Sequence, residues 1–389
     1  MRVALPLSYN VRNLRVRWQV TLLAVLGIAL VVAVFVVLLS MSSGFAHALR
    51  TTGRLDNAIV VQEGSQSELT SGIPRDQADA IMVDSRVARG GDGRPLASPE
   101  VVVVASLPRK HDGLSTNVTV RGVTTRAFEV RGGIRMTRGW RFTPGLEEIV
   151  VGERLGERFG LEEGATVRLQ RRDWQVVGVF ASEGSGFESE LWGDLDVIAP
   201  AFFRTGGYQS MVVRLTDASE LEAFARSVED DPRFQLEVSR EQEYYEVQAG
   251  PVAGALLALS VFVSVIMGIG AVFGAMNTMY AIVAARTREI GTLRALGFSR
   301  SAILLSFVLE SVFLAVVGGV LGCGLAWPAH GIGAATGGAN FSEVAFAFRL
   351  SPEILLSGLL FAAMMGFVGG LLPALRGARL PVASALREA

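Results

Sequence analysis

The sequence predicts a membrane protein with four transmembrane α-helices and one large α+β extracytoplasmic domain, and three observations lead there. Half of the 389 residues are hydrophobic, only 19% are charged, and mean hydropathy is +0.41, a balance that points to membrane segments. Four apolar runs are long enough to cross a hydrocarbon core, which takes about 20 helical residues. Three arginine-bearing segments flank these runs, and with four spans all three segments fall on one side.

The first span is residues 18–40, with Leu22 to Leu26 leading into the apolar run Val31 to Leu39. Its basic approach (Arg2, Arg12, Arg15, Arg17) also suits a signal peptide. The apolar core is too long for one and no clean small-residue cleavage site follows, so it reads as a retained anchor. The second span is residues 251–284, the third 303–326 and the fourth 354–373. Arg12, Arg15 and Arg17 precede the first span, Arg286, Arg288, Arg294 and Arg300 separate the second from the third, and Arg376, Arg379 and Arg387 follow the fourth. Their agreement makes 1–17, 285–302 and 374–389 cytoplasmic and puts 41–250 and the loop 327–353 outside.

Residues 41–250 have soluble composition and short β-rich stretches: Ala58–Val61, Val101–Ala105, Val118–Val123, Ile149–Val151, Thr166–Gln170, Trp174–Phe180 and Met211–Leu215. Helices are expected over Pro74–Val83, Glu153–Phe159 and Ala218–Asp230, the last capped by Thr216-Asp217. A polar helix over Glu241–Val247 would run as a stalk into the second span. The mixture predicts two lobes, a strand-rich one (about 110–205) inserted in an α/β one.

Chemistry is sparse. A net charge of −1 argues against nucleic-acid binding, and a lone Cys323 permits neither an intramolecular disulfide nor a multi-cysteine zinc site. His47, His111 and His330 are isolated from one another, so no metal set is expected. No glycine run is followed by Lys and Ser or Thr, and Lys110 precedes His111 and Asp112, so no phosphate-cradling loop is present. No cofactor is expected on the chain, and any ATP and Mg dependence must come from a partner.

The cytoplasmic loop is where such a partner would act. From Arg286 to Arg300 it reads as a short amphipathic helix, with Ile290, Leu293 and Leu296 near one face. Arg286, Glu289 and Arg300 are then available to solvent or a partner, and Gly297 stands at the expected C-terminal cap. Composition alone is equally compatible with a loop that only fixes topology.

Thr287 to Gly297 (TREIGTLRALG) resembles the signature of the FtsX-like permease family, which includes MacB-type exporters and the lipoprotein-releasing LolC/LolE permeases. Asn277-Thr278-Met279 and the tail Pro373 to Arg387 resemble flanking family segments. Val151-Gly152-Glu153-Arg154-Leu155 and Leu161 to Val167 resemble the MacB-like periplasmic core domain. The resemblance implies a bacterial inner-membrane permease working as a dimer, with a second copy or a paralogue, above separate ABC ATPase subunits. It implies mechanotransmission: closure of the spans moves the external domains and so expels or extracts an amphipathic drug, lipid or lipoprotein. A periplasmic adaptor or a lipoprotein carrier would be a further partner. Arg286, Arg288, Glu289, Ile290, Leu293, Arg294, Leu296 and Gly297 would form the ATPase-coupling segment. MacB itself carries a fused ATPase and this sequence does not, which favours a split system. A signalling permease that regulates a cell-envelope hydrolase is the alternative, and an external domain of some 200 residues favours transport.

Within the spans Glu310 is the one acidic residue, roughly 10 Å in from the cytoplasmic start of the third at about 1.5 Å per residue. Intramembrane carboxylates are costly and seek partners. Asn277 lies at similar depth, within reach of a hydrogen bond that would tie the coupling loop to the bundle, and a protonated glutamate serving only as interhelical glue fits equally well. Four small-residue pairs, Gly250/Gly254, Gly270/Gly274, Gly318/Gly322 and Gly366/Gly370, allow close helix approach, and most are expected to pack internally.

Overall fold

The computed structural model describes residues 18–110, 113–337 and 343–381. Arg2, Arg12, Arg15, Arg17, His111 and Arg387 lie outside the described residues. Helix α1 (Trp18–Arg50) continues beyond residue 40, because nothing between Ser40 and Arg50 breaks helical geometry. The chain then makes β1 (Asn57–Gln62), a 3-10 turn at Glu68–Thr70, β2 (Ile73–Pro74), α2 (Arg75–Met82), β3 (Ala97–Pro108) and β4 (Ser115–Val123). There follow α3 (Ala127–Arg131), β5 (Arg135–Gly139), β6 (Glu148–Gly152), α4 (Glu153–Phe159), β7 (Thr166–Leu169) and β8 (Arg172–Ala181). A 3-10 turn at Gly186–Ser189 leads into β9 (Glu190–Asp194), α5 (Leu195–Ala201), β10 (Gly207–Tyr208), β11 (Ser210–Arg214), α6 (Leu221–Glu229) and β12 (Leu236–Arg240). Every strand and helix expected in this region is present, and Asp217 caps the turn before α6 by accepting from the Ser219 amide.

Helix α7 (Glu241–Ala285) runs 45 residues, so the polar stalk and the second span are one helix. After it come α8 (Thr287–Ala295), α9 (Arg300–Ala326), strands β13 (Gly333–Gly337) and β14 (Glu343–Ala347), and α10 (Pro352–Arg379). Four of these helices, α1, α7, α9 and α10, are long and apolar enough to cross a membrane.

The chain divides into two compact units: a membrane unit (1–43, 255–332, 348–389) and an external unit (44–254, 333–347). In the external unit one ten-stranded sheet has the order β12-β1-β11-β3-β4-β9-β6-β8-β5, with β7 also on β8. Among the described residues only β4–β9 and β6–β8 are parallel. The expected two lobes therefore share a sheet. The first residues of β3 pair with β11, and the rest pair with β4. Val101, Val103, Val118, Val120, Ile149 and Leu191 fill the core under α4 and α5. Ala58, Val60, Met211 and Val213 pack against Ile81 of α2 and Phe224 of α6.

In the membrane unit small residues set the helix spacing. A methyl group at Gly366 would stand 2.5 Å from the Ala315 side chain, and one at Gly322 would stand 2.5 Å from the Ala29 carbonyl. Gly370 is equally tight, 2.5 Å from the Ser311 side chain, and Gly318 is close behind, 2.9 Å from the Val25 carbonyl. These two pairs pack inside the unit as close-approach sites. Gly250, Gly254, Gly270 and Gly274 on α7 have nothing within 4 Å, so that helix keeps an open face.

Candidate functional site

Two constellations stand out, one in each unit. In the membrane unit the chain breaks at Arg286 (φ −110°, ψ 13°) and starts α8 immediately. The helix ends where expected. Gly297 takes φ +94°, the Phe298 amide reaches the Leu293 carbonyl at 3.1 Å, and the Gly297 amide reaches Arg294 at the same distance. Ile290, 2% exposed, anchors the buried face with Met279, Ile303, Phe307 and Ala374. Leu293 is half-buried, whereas Leu296 is 73% exposed, so the apolar stripe does not all point inward. Arg288 and Glu289 are exposed. Arg294 is half-buried, and its Nε has no hydrogen-bond partner among the described residues.

Two sequence expectations are corrected here. Arg286 is 9% exposed, so it is not a surface contact. Its Nη1 donates to Glu310 Oε2 at 2.8 Å, its Nε lies 3.6 Å from Glu289, and the guanidinium sits over the Phe307 ring. Glu310, 4% exposed, is thus held by Arg286 and not by Asn277, which is exposed on α7 and has no hydrogen bond to it. A full charge in a low-dielectric site favours an opposite charge over a neutral amide, and Arg286 reaches it from the helix break.

In the external unit a lattice of buried ions crosses the shared sheet. Arg121 on β4 gives Nε and Nη2 to Glu190 at 2.7 and 2.8 Å, and Nη1 to Glu68 and Glu100, both at 2.7 Å. Arg131, at the end of α3, binds Glu100 through Nη1 and Nη2, and binds Glu241, the first residue of α7, through Nε at 3.0 Å. Four carboxylates therefore face two guanidiniums. Neutral donors make up the difference: Ser210 and Tyr245 to Glu68, Trp192 to Glu190, and Asn57 with the Arg54 amide to Glu241. Burial pushes the Glu68 carboxyl up, but Arg121, with Ser210 and Arg131, more than offsets it and leaves it below its ordinary value. Burial likewise opposes charge on Arg121, and Glu190 and Glu68 reverse this and hold it firmly protonated. The Phe187 ring lies between the guanidiniums, 4.6 Å from Arg131 and 5.6 Å from Arg121.

Sequence reasoning missed this lattice entirely. Its arginine–carboxylate pairs lie 21 to 110 residues apart, and its only local trace is charge inside apolar strands, as at Arg121 and Glu190. Each carboxylate of the set has an arginine partner, and Asn57 Oδ1 is left buried without a hydrogen bond among the described residues. Among the described residues no group of three or more His, Cys, Asp or Glu could hold a metal ion.

Comparison with known families gives two matches: residues 21–231 fit the MacB-like periplasmic core domain, and residues 261–382 fit the FtsX-like permease C-terminal domain. The chain is 23% identical over 396 residues to the uncharacterized ABC transporter permease YknZ of Bacillus subtilis, covering 94% of each. It is 25% identical over 346 residues to the macrolide export ATP-binding/permease protein MacB of Rhodopseudomonas palustris, covering 81% of this chain and 51% of that protein. The chain thus spans about half the length of the MacB relatives it matches. The crystal structure of the extracellular domain of YknZ aligns with 47% of this chain and 99% of that one, with a TM-score of 0.36 and 18% identity.

Proposed function

Because the chain belongs to the FtsX-like permeases with a MacB-like periplasmic core domain, we propose that this ABC transporter permease works by mechanotransmission, driven by a separate ABC ATPase that docks on α8. The observation that carries the reading is the seating of α8. One face is fixed by Ile290 and by the buried Arg286–Glu310 pair, and the other presents Arg288, Glu289 and Leu296. A helix anchored in this way passes a push on its outer face into α9. Membership of the ABC permease family implies an ABC ATPase partner, and in this reading the ATP and Mg chemistry sits on that partner. The cargo is an amphipathic molecule, a drug, lipid or lipoprotein, handled at the outer face of the inner membrane, with a periplasmic adaptor or lipoprotein carrier receiving it.

The test is charge reversal at Arg288, which is exposed, and Arg294, whose Nε has no hydrogen-bond partner among the described residues. The double Glu variant is expected to lower co-purification of the ATPase on the order of tenfold or more, with normal membrane insertion. Unchanged co-purification would remove α8 as the docking element.

A second permease copy is the other partner, and the open face of α7 is its seat. Gly270, Gly274 and Asn277 follow one another at helical spacing, and all three are exposed. A carboxamide left facing lipid is costly, whereas facing its own copy it gains a partner. Gly270→Leu with Gly274→Leu is expected to shift cross-linked dimer to monomer while the protomer stays folded. Gly366→Leu, which collides with Ala315, should instead destabilise the protomer by about 1–3 kcal/mol or more. Equal losses of folded protein from both would place the α7 glycines inside the protomer.

A further inference from the structure

The segment joining the third and fourth spans is a β-hairpin whose strands belong to the external unit. β13 and β14 pair from Gly333↔Ala347 to Gly337↔Glu343. Its attachment is specific. The Ala345 amide donates to Ser189 Oγ at 2.8 Å, and the same hydroxyl donates back to the Ala345 carbonyl at 3.4 Å. Arg154 Nη1 also reaches that carbonyl at 3.4 Å, and Arg158 pairs with Glu343 at 2.8 Å. Phe346, 1% exposed, meets Phe45 edge-on at 5.5 Å. At Gly44 a methyl group would collide with the Ala347 carbonyl, so the α1 extension and the hairpin touch backbone to backbone.

What the hairpin grips is the approach to the ionic lattice. Ser189 closes the 3-10 turn Gly186–Ser189 and is peptide-bonded to Glu190, which holds Arg121 by two hydrogen bonds. In the same turn, Phe187 lies between the two lattice arginines and edge-on to Tyr245 at 5.6 Å. Glu188 pins the turn, accepting from the Ser182 and Gly184 amides at 2.8 Å and pairing with Arg154 at 3.0 Å. Glu183 and Gly184 both hold positive φ, 52° and 77°, so the loop is drawn into one conformation. β14 is therefore one residue removed, through Ser189, from Glu190 and its bonds to Arg121.

We propose that this hairpin is an input line by which the third and fourth spans act on the external domain, with Ser189 as the positioning residue that hands their movement to the lattice. This rests on the mechanotransmission reading. It adds that α1 and α7 are not the sole carriers, although both continue into the external unit.

The test uses the full chain with its ATPase in nanodiscs, comparing amide hydrogen exchange over residues 182–190 between nucleotide-free and ADP–vanadate-trapped complexes. Ser189→Ala removes both hydroxyl bonds, and the nucleotide-dependent change in exchange should shrink on the order of tenfold, the scale of two net hydrogen bonds. Ser189→Thr keeps the hydroxyl and should retain the change. Trp192 fluorescence verifies that each variant is folded, and ATPase co-purification verifies that it is assembled. A folded, assembled Ser189→Ala complex with the native exchange response overturns the proposal, as does equal loss in the Thr variant. Loss of the ATPase from the native chain would instead sink the functional reading beneath it.

Discussion

Arg121→Met is expected to destabilise the external domain by about 3–5 kcal/mol, because it strands Glu68 and Glu190 without their cation in the sheet interior and leaves Glu100 with Arg131 alone. At roughly 2–4 °C per kcal/mol for a domain of this size, the melting midpoint should fall by about 6–20 °C. Trp192, whose indole donates to Glu190, reports the transition by fluorescence. A shift within a degree or two would mean that the lattice is held by its neutral donors. The pH dependence adds a sign. Glu68 titrates below its ordinary value in the folded state, so its contribution is complete above the ordinary carboxylate range and is lost as pH falls through the folded value. The share of stability that Glu68 contributes should therefore be lost in acid, whereas Glu241, which burial raises, contributes with the opposite sign. In the Arg121→Met variant burial acts on Glu68 largely unopposed, so mild acid should relieve part of the damage.

The second large effect lies at the Arg286–Glu310 pair. Arg286→Met leaves a buried carboxylate with no cation, at about 3–5 kcal/mol, equivalent to an on the order of 100-fold or greater loss of correctly seated α8. Stimulated ATPase activity of the reconstituted complex should fall accordingly. Glu310→Gln should be milder, since an amide still accepts from the guanidinium. The double variant Arg286→Met/Glu310→Met, apolar and of similar volume, should recover much of the loss. Full activity in Arg286→Met would show that Ile290 alone seats the helix.

The spans are legible because helices in water rarely sustain apolar runs of such length, and the strands Ala58–Val61 and Val118–Val123 because β-branched residues cluster between turn residues. Other elements give no such signal. β5 reads Arg-Met-Thr-Arg-Gly and is an almost fully exposed edge strand, so it shows no apolar periodicity. β9, Glu-Leu-Trp-Gly-Asp, is wholly buried yet carries two carboxylates, because Arg121 compensates one and the Gly145 amide the other. On α8 the position of Gly297 and the burial of Ile290 can be read from local spacing. The partner of Glu310 cannot: Asn277 and Arg286 are nine residues apart on one chain segment, and only the helix break at Arg286 decides which of them turns toward α9.

One long strand carries a mechanical meaning of its own. Because β3 begins against β11 and finishes against β4, the two ends of the external sheet are joined by a continuous hydrogen-bonded ladder and not by a flexible linker. Swinging apart about a hinge would require tearing that ladder near Glu100 and Val101. Twisting along the strand axis requires only small changes in many dihedrals, as sheets allow. The external domain should therefore answer force as a torsion bar does, by winding and unwinding about β3, so that pulling one end rotates the other.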